Sequence, residues 1–200
     1  MRIPHWLLIV FFIFAGIVIS ALTTYLIQGN PQDLKHLEKT PSDVLKKQWV
    51  EQDIPLGLTI KIPYKLKNSN KNLFPGLLKK SLNFKGFKEI QGIEIELNSS
   101  KISENEPVVL SEKIMESENK LKSQKGLSGF ESTFDTLSID GKKALLETGY
   151  FESRNETISF QNLLVSANNW LYQILFIYDS ADSVGQKTTN RIINSIRFIK

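Results

Sequence analysis

The chain has 200 residues, no cysteine, two histidines and a formal net charge of +4. The lack of cysteine excludes disulfides, thiolate metal sites, cysteine nucleophiles and lipid attached to cysteine. Of the 25 basic residues, 21 are Lys and 4 are Arg. Lys-rich usage suits a solvated surface better than bidentate phosphate recognition, which prefers Arg, so we expect no nucleic-acid partner.

The N-terminal segment 6–27 contains 22 residues without a charge and is almost entirely apolar. At about 1.5 Å per residue it is long enough to cross the hydrocarbon core of a bilayer. We predict a 1–5 stub followed by a transmembrane helix over 6–27 that attaches the chain to the membrane. The alternative is a secretory signal cleaved near Ser20 and Ala21, but the apolar run continues past that site to Ile27, which favours an uncleaved anchor.

The orientation of this predicted helix is not set by charge, because Arg2 precedes it and several lysines follow it. A short stub with an early helix resembles the arrangement of signal-anchored exported proteins. We therefore expect a single-pass protein of a bacterial cytoplasmic (inner) membrane, with its C-terminal domain on the extracytoplasmic or periplasmic side.

Residues 28–52 are predicted to form a linker with helical turns, followed by one soluble domain over 53–200. Thr40 is suited to cap a helix that has Pro41 at its first position, and Trp49 is expected to pack on the domain. Apolar–polar alternation predicts strands, and apolar residues at helical spacing predict helices. The predicted strands are 57–63, 91–98, 131–139, 142–153, 156–167, 169–178 and a short end strand 197–199; the predicted helices are 108–124 and 182–196, with a single helical turn at 76–81.

Three turn signals connect the strands of the C-terminal half. Asp140 and Gly141 are typical of a tight hairpin turn, and Arg154–Asn155 and Asn168–Asn169 fit the next two turns. The strand 169–178 is apolar on both faces, which indicates that it is covered on both sides. The predicted fold class is α+β: an antiparallel sheet with helices on both faces, an α/β/α sandwich.

Two stretches resemble a known family. The opening strand Gly57-Leu58-Thr59-Ile60-Lys61-Ile62-Pro63 and the closing segment Arg191-Ile192-Ile193-Asn194-Ser195-Ile196-Arg197-Phe198 bracket a central helix and a hairpin meander. This pattern resembles the PsbP-like superfamily, which includes anchored or secreted bacterial members of the DcrB type. The resemblance implies an α/β/α sandwich and a non-enzymatic binding or assembly role, without shared catalytic residues.

The chemistry available to the predicted domain is limited, because the two histidines, His5 and His36, both precede residue 53. Ser-His-Asp and Cys-His catalysis and zinc sites with His or Cys ligands are therefore excluded from 53–200. We predict no catalytic residues, no cofactor and no metal site. Glu94 and Glu96 share one strand face at a spacing of ~7 Å, which suits paired acids, although the simpler interpretation is a solvated strand face.

Charge is unevenly distributed along the predicted domain. Residues 53–90 hold eight lysines and two acidic residues, whereas residues 91–160 hold thirteen acidic and eight basic residues. The first stretch predicts a basic flank that contacts a partner or the membrane through Lys79, Lys80, Lys85 and Phe74; the alternative is a solvated surface. We expect a membrane-anchored, non-enzymatic binding or assembly module with a protein partner; the alternative is a small-ligand binder or a hydrolase that uses Glu94 and Glu96.

Overall fold

The structure is a computed structural model that describes residues 37–54, 57–68, 82–90, 92–102 and 108–199. This part of the chain forms two α-helices and ten β-strands. The helices are α1 (Leu110–Lys122) and α2 (Ser183–Asn194). The strands are β1 (Val50–Ile54), β2 (Leu58–Ile62), β3 (Lys67–Asn68), β4 (Leu82–Ile90), β5 (Ile93–Lys101), β6 (Leu127–Ile139), β7 (Lys142–Ser153), β8 (Glu156–Ala167), β9 (Trp170–Asp179) and β10 (Arg197–Phe198).

The main sheet has seven antiparallel strands in the order β3-β4-β5-β9-β8-β7-β6. Its four longest strands, β6 to β9, follow one another along the chain and form a meander of hairpins. Their two-residue turns lie in the left-handed region of the backbone, with φ of 50° at Asp140, 53° and 65° at Arg154–Asn155, and 51° and 61° at Asn168–Asn169. The three predicted turns are therefore confirmed, and they have the geometry that matches the twist of a hairpin.

The two helices pack on opposite faces of the main sheet. On β9, Ile174 and Phe176 join the core cluster that contains Ile192 of α2, whereas Leu175 joins the cluster that contains Leu121 of α1. Eight of the ten β9 residues are buried, which confirms the prediction that this strand is covered on both sides. Both helices and the α+β class are confirmed.

A second, three-stranded sheet departs from the single sheet that we predicted. It has the order β1-β2-β10, all antiparallel. The inward side chains of β2, Leu58, Ile60 and Ile62, are fully buried and pack in the same cluster as α2. The strand forms as predicted, but its apolar face packs onto the main sheet instead of its edge pairing with it. The strands β1, β3 and β4 were not predicted.

The described part of the predicted linker packs as part of the domain. Leu37 and Val44 are buried, and β1 already begins at Val50. Trp49 packs against the core as predicted, with the Arg191 guanidinium 4.1 Å from its ring centroid. The predicted cap at Thr40 is wrong: Pro41 precedes the 3-10 helix Ser42–Leu45, without a side-chain cap.

Thr40 instead connects this segment to the start of α2. Its backbone N–H donates to Asp182 Oδ2 over 2.8 Å. Asp182 caps α2, because its Oδ1 accepts from the backbone N–H groups of Val184 at 3.1 Å and Gly185 at 2.8 Å. One buried carboxylate therefore holds both the N-terminal segment and the last helix.

Several predictions concern residues outside those described: the stub 1–5, the transmembrane span 6–27, the first part of the linker, and the helical turn at 76–81. Within the described ranges, neither helix has the length and apolar character needed to cross a membrane.

Candidate functional site

The acidic pair Glu94 and Glu96 lies in the interior of the protein. The predicted alternation of β5 is correct, since Ile93 and Ile95 share the opposite face. The prediction that the glutamate face is solvated is wrong: Glu94 and Glu96 are only 4% and 1% exposed. β5 is an inner strand between β4 and β9, and Leu175 and Ile177 lie opposite the two acids in the sheet. This position does not offer the pair to a substrate from solution, which weakens the hydrolase alternative.

A row of buried polar side chains crosses the same face of the sheet beneath α1. Glu147, Asn162 and Gln173 come from the neighbouring strands β7, β8 and β9, and Ser117 comes from α1; each is at most 1% exposed. Asn162 Nδ2 donates to Glu147 Oε2 at 3.0 Å and to Ser117 Oγ at 3.1 Å. Gln173 Nε2 donates to Asn162 Oδ1 at 2.9 Å and to Ser117 Oγ at 3.0 Å. This network fixes α1 on the sheet, because a polar row needs its partners in register.

The polar row extends onto β5. Gln173 lies directly opposite Asn98, whose Nδ2 donates to Glu96 Oε1 at 2.9 Å. Several acceptors of the row, among them Gln173 Oε1 and Asn98 Oδ1, have no hydrogen-bonding partner in the described structure. Unpaired buried acceptors cost free energy, so the row is a specific and energetically sensitive feature of the interior.

Glu147 is the titratable member of this row. Burial raises its pKa to about 7, against hydrogen bonds from Asn162 and Ser132 that favour the ionised form. The charge of Glu118 adds to the rise, and Lys122 opposes it. Around neutral pH, this interior carboxyl therefore exists in both its protonated and its ionised form.

Our sequence analysis did not find the polar row, although weak signals for it exist. Gln173 is a polar residue in an otherwise apolar stretch of β9, and Asn162 directly precedes the apolar run Leu163-Leu164-Val165 of β8. Ser117 follows Ile114 by three residues and precedes Leu121 by four, which places it on the buried face of α1. Each signal alone also fits a solvated residue, and only the packing of α1 brings them together.

A cleft of about 450 Å³ opens at the start of α1. Its size falls within the range of small-ligand sites. Four apolar and four polar side chains line it, and Lys143 carries the only charge among them. The lining residues are Val108, Val109, Leu110, Ser111, Thr136, Lys143, Leu145 and Ser166. Such a lining suits a small molecule with an apolar body and an anionic group.

Exposed apolar side chains of the main sheet lie on the β6–β7 hairpin. Phe134 is 42% exposed and Tyr150 is 38% exposed. β6 ends the order of the sheet and pairs with β7 alone in the described part of the chain. β6 is therefore an open edge strand, with one exposed aromatic residue on it and another on its neighbour β7.

Of the residues predicted to contact a partner or the membrane, Phe74, Lys79 and Lys80 lie outside the described residues. The backbone of Lys85 lies in β4, opposite Asn98 of β5. In the described ranges, no group of three or more His, Cys, Asp or Glu residues is placed to hold a metal ion.

Comparison with known proteins shows the fold. The cyanobacterial PsbP protein CyanoP from Synechocystis has a TM-score of 0.53 and 12% identity, over 75% of this chain and 92% of that one. LpqN from Mycobacterium tuberculosis, described as involved in cell envelope biogenesis, has a TM-score of 0.44 and 14% identity, over 82% of this chain and 99% of that one. The match to CyanoP shows that the chain has a PsbP-like fold, as the sequence resemblance implied.

A structure from Bacteroides thetaiotaomicron matches with a TM-score of 0.41 and 9% identity, over 76% of this chain. The match spans only 42% of the length of that protein. No model of a protein family and no curated protein matches the sequence.

Proposed function

We propose that the chain is a membrane-anchored, non-enzymatic binding or assembly module whose domain lies on the extracytoplasmic side of a bacterial inner membrane. The observation that carries this proposal is the contrast between the inner strand β5 and the β6–β7 hairpin at one end of the main sheet. The acidic pair Glu94 and Glu96 is interior, whereas Phe134 on the edge strand β6 and Tyr150 on its neighbour β7 remain exposed. Exposed aromatic residues on a free edge are typical of protein docking surfaces. The PsbP-like fold and the uncharged span 6–27 support it.

The proposed anchor would hold the domain close to the bilayer. Leu37 is already packed in the core, only ten residues after Ile27, the last residue of the predicted span. A fully extended chain advances at most about 3.6 Å per residue, so Leu37 lies within roughly 36 Å of the end of the span. A partner of this module is therefore a membrane protein or a protein that works at the membrane surface.

In-cell crosslinking of the full-length protein with a C-terminal tag tests this function. We expect a stoichiometric partner in the purified membrane fraction. The matched control replaces 6–27 with a cleavable secretory signal and leaves the domain unchanged; its partner yield should fall because the domain is no longer concentrated at the membrane. Recovery of the tagged protein alone in both forms would contradict an assembly role.

A small-ligand binder is the second candidate, and the cleft at the start of α1 favours it. Decanoate, with an apolar chain and one carboxylate, should raise the melting temperature of the native protein by binding the folded state. Ser166→Phe fills the cleft and should abolish this rise, whereas Ser166→Ala should keep it. No rise in the native protein, or an equal rise in Ser166→Phe, would remove this candidate.

A further inference from the structure

The outer edge of β6 is long and accessible. The strand has thirteen residues, of which eight are exposed, and its one partner in the described chain is β7. In an antiparallel strand, alternate residues direct their N–H and C=O groups away from a given neighbour. β6 therefore presents a row of backbone donors and acceptors that an additional strand can pair with.

The usual protections against edge pairing are weak on this strand. Natural edges carry lysine, proline or bulges that prevent pairing with another chain. β6 contains neither lysine nor proline, and its irregularity is confined to the stretch between Ser128 and Glu131, where Gly129 has a φ of 58°. From Glu131 to Ile139 the register with β7 is regular, which leaves about 30 Å of edge without a bulge.

One face of this edge is acidic. Tyr150 lies directly opposite Glu131, and opposite residues in a sheet share a face. Alternate residues of one strand also share a face, so Asp135 and Glu152 lie on the same face as this pair. A hydrogen bond with Glu131 raises the pKa of Tyr150, and the charge of Glu152 adds to the rise. The other face of β6 carries the exposed Phe134.

We propose that the outer edge of β6 binds an extended segment of a partner protein, which adds an eighth strand and places Lys or Arg residues over Glu131 and Asp135 and an apolar residue beside Phe134. This inference rests on the proposed function as a binding module and specifies its partner by chemistry. Backbone hydrogen bonds supply the affinity, and side chains with a period of two supply the specificity.

Charge decides against a second copy of this chain as the occupant. A two-fold axis perpendicular to the sheet would pair β6 with itself and keep each residue on its own face. Glu131 and Asp135 of both copies would then share one face, and β6 has no lysine or arginine to neutralise them. Like charges on neighbouring strands destabilise pairing, whereas a basic segment gains from the same carboxylates.

Fluorescence anisotropy with the full-length protein and two labelled peptides tests the inference. One peptide alternates Lys and Val; the other alternates Lys and Pro, which carries the same charge but cannot supply the backbone N–H groups of a strand. We expect the Lys-Val peptide to bind about tenfold more tightly or better. Equal binding of the two peptides would show attraction by charge alone and would overturn the added strand.

Charge reversal tests the contacting residues. The double variant Glu131→Lys and Asp135→Lys should bind the Lys-Val peptide about tenfold more weakly or worse. The matched control, Asp43→Lys with Glu51→Lys, makes the same change of net charge at exposed acids outside the main sheet. If the control weakens binding as much as the β6 variant, the proposed site is wrong.

Proline tests the backbone. Neighbouring residues of a strand direct their N–H groups to opposite edges. Of the variants Thr133→Pro and Phe134→Pro, one therefore removes an N–H on the outer edge of β6, and the other removes a hydrogen bond between β6 and β7. The variant that keeps a near-native melting temperature should lose binding of the Lys-Val peptide; retained binding would overturn the inference.

The same variants in the crosslinking experiment separate the two proposals. A partner that is lost with the β6 charge reversal and kept with the control supports both. A partner recovered at native yield with every β6 variant leaves the binding module intact and places its docking site elsewhere. If no partner is recovered but the peptide results hold, the edge binds basic strands and the assembly role fails.

Discussion

Replacing Gly92 with Ala is expected to lower the free energy of unfolding by about 4 kcal/mol. Gly92 has a φ of 89°, a conformation that side chains other than glycine rarely adopt. A Cβ there would lie 2.2 Å from the carbonyl oxygen of Glu38 and 2.7 Å from the backbone nitrogen of Thr40. Both are backbone atoms, so the clash is not relieved by a change of rotamer.

The segment that passes over Gly92 is held on two sides and cannot easily move away. The Thr40 N–H is bonded to the buried Asp182, and Leu37 is packed in the core with Phe151. Moving this segment would break the hydrogen bond that ties it to the start of α2 and would uncover apolar surface. The substitution therefore disturbs the place where the N-terminal segment joins the domain.

Gly126→Ala is the matched control, because Gly126 also has a φ of 89° but a Cβ there meets nothing within 4 Å. Its free energy of unfolding should fall by only about 1–2 kcal/mol, which is the cost of placing alanine in a left-handed backbone conformation. Urea denaturation measures the free energy of unfolding of both variants. The difference between the two losses is the contribution of the clash at Gly92. Equal losses would show that the segment 38–40 does not press on Gly92.

The stability of the protein should fall by about 3 kcal/mol as the pH rises from about 4.5 to about 7, through the titration of Glu147. The folded state raises the pKa of this carboxyl from 4.5 to about 7 and so retains a proton that the unfolded chain releases. Between these two values the unfolded state binds fewer protons, so its free energy falls relative to the folded state. Below the window the contribution is fully present, and above it the loss is complete.

Glu147→Gln should remove this part of the pH dependence. Glutamine cannot ionise, and its side-chain oxygen can still accept from Asn162 in the polar row. At a pH of about 8 the variant should be more stable than the native protein, because it avoids a buried charge. The measurement is the free energy of unfolding by urea at several pH values from about 5 to about 8.

The control for this experiment is Glu152→Gln, an exposed acid on the same strand. It should leave the slope of stability against pH unchanged. A slope that persists in Glu147→Gln, or one that disappears in Glu152→Gln, would assign the titration to another group.

Local patterns in the sequence were enough to predict most of the main sheet. The turns at Asp140–Gly141, Arg154–Asn155 and Asn168–Asn169 need residues that tolerate positive φ, and this requirement acts within two residues. The strands between them and the helices α1 and α2 follow from apolar residues at periods of two and 3.6. The absence of cysteine, and of histidine after residue 36, likewise limited the chemistry without any structure.

The tertiary structure decided which faces are covered, because burial depends on what packs on an element and not on its own pattern. The alternation of β5 is the same whether Glu94 and Glu96 meet water or lie in the interior, and the inner position of the strand makes them interior. Likewise, the alternation of β2 fits a strand that pairs within the main sheet as well as a strand that packs its apolar face onto that sheet. The polar row of Ser117, Glu147, Asn162 and Gln173, and the open edge of β6, exist only once distant segments are brought into register.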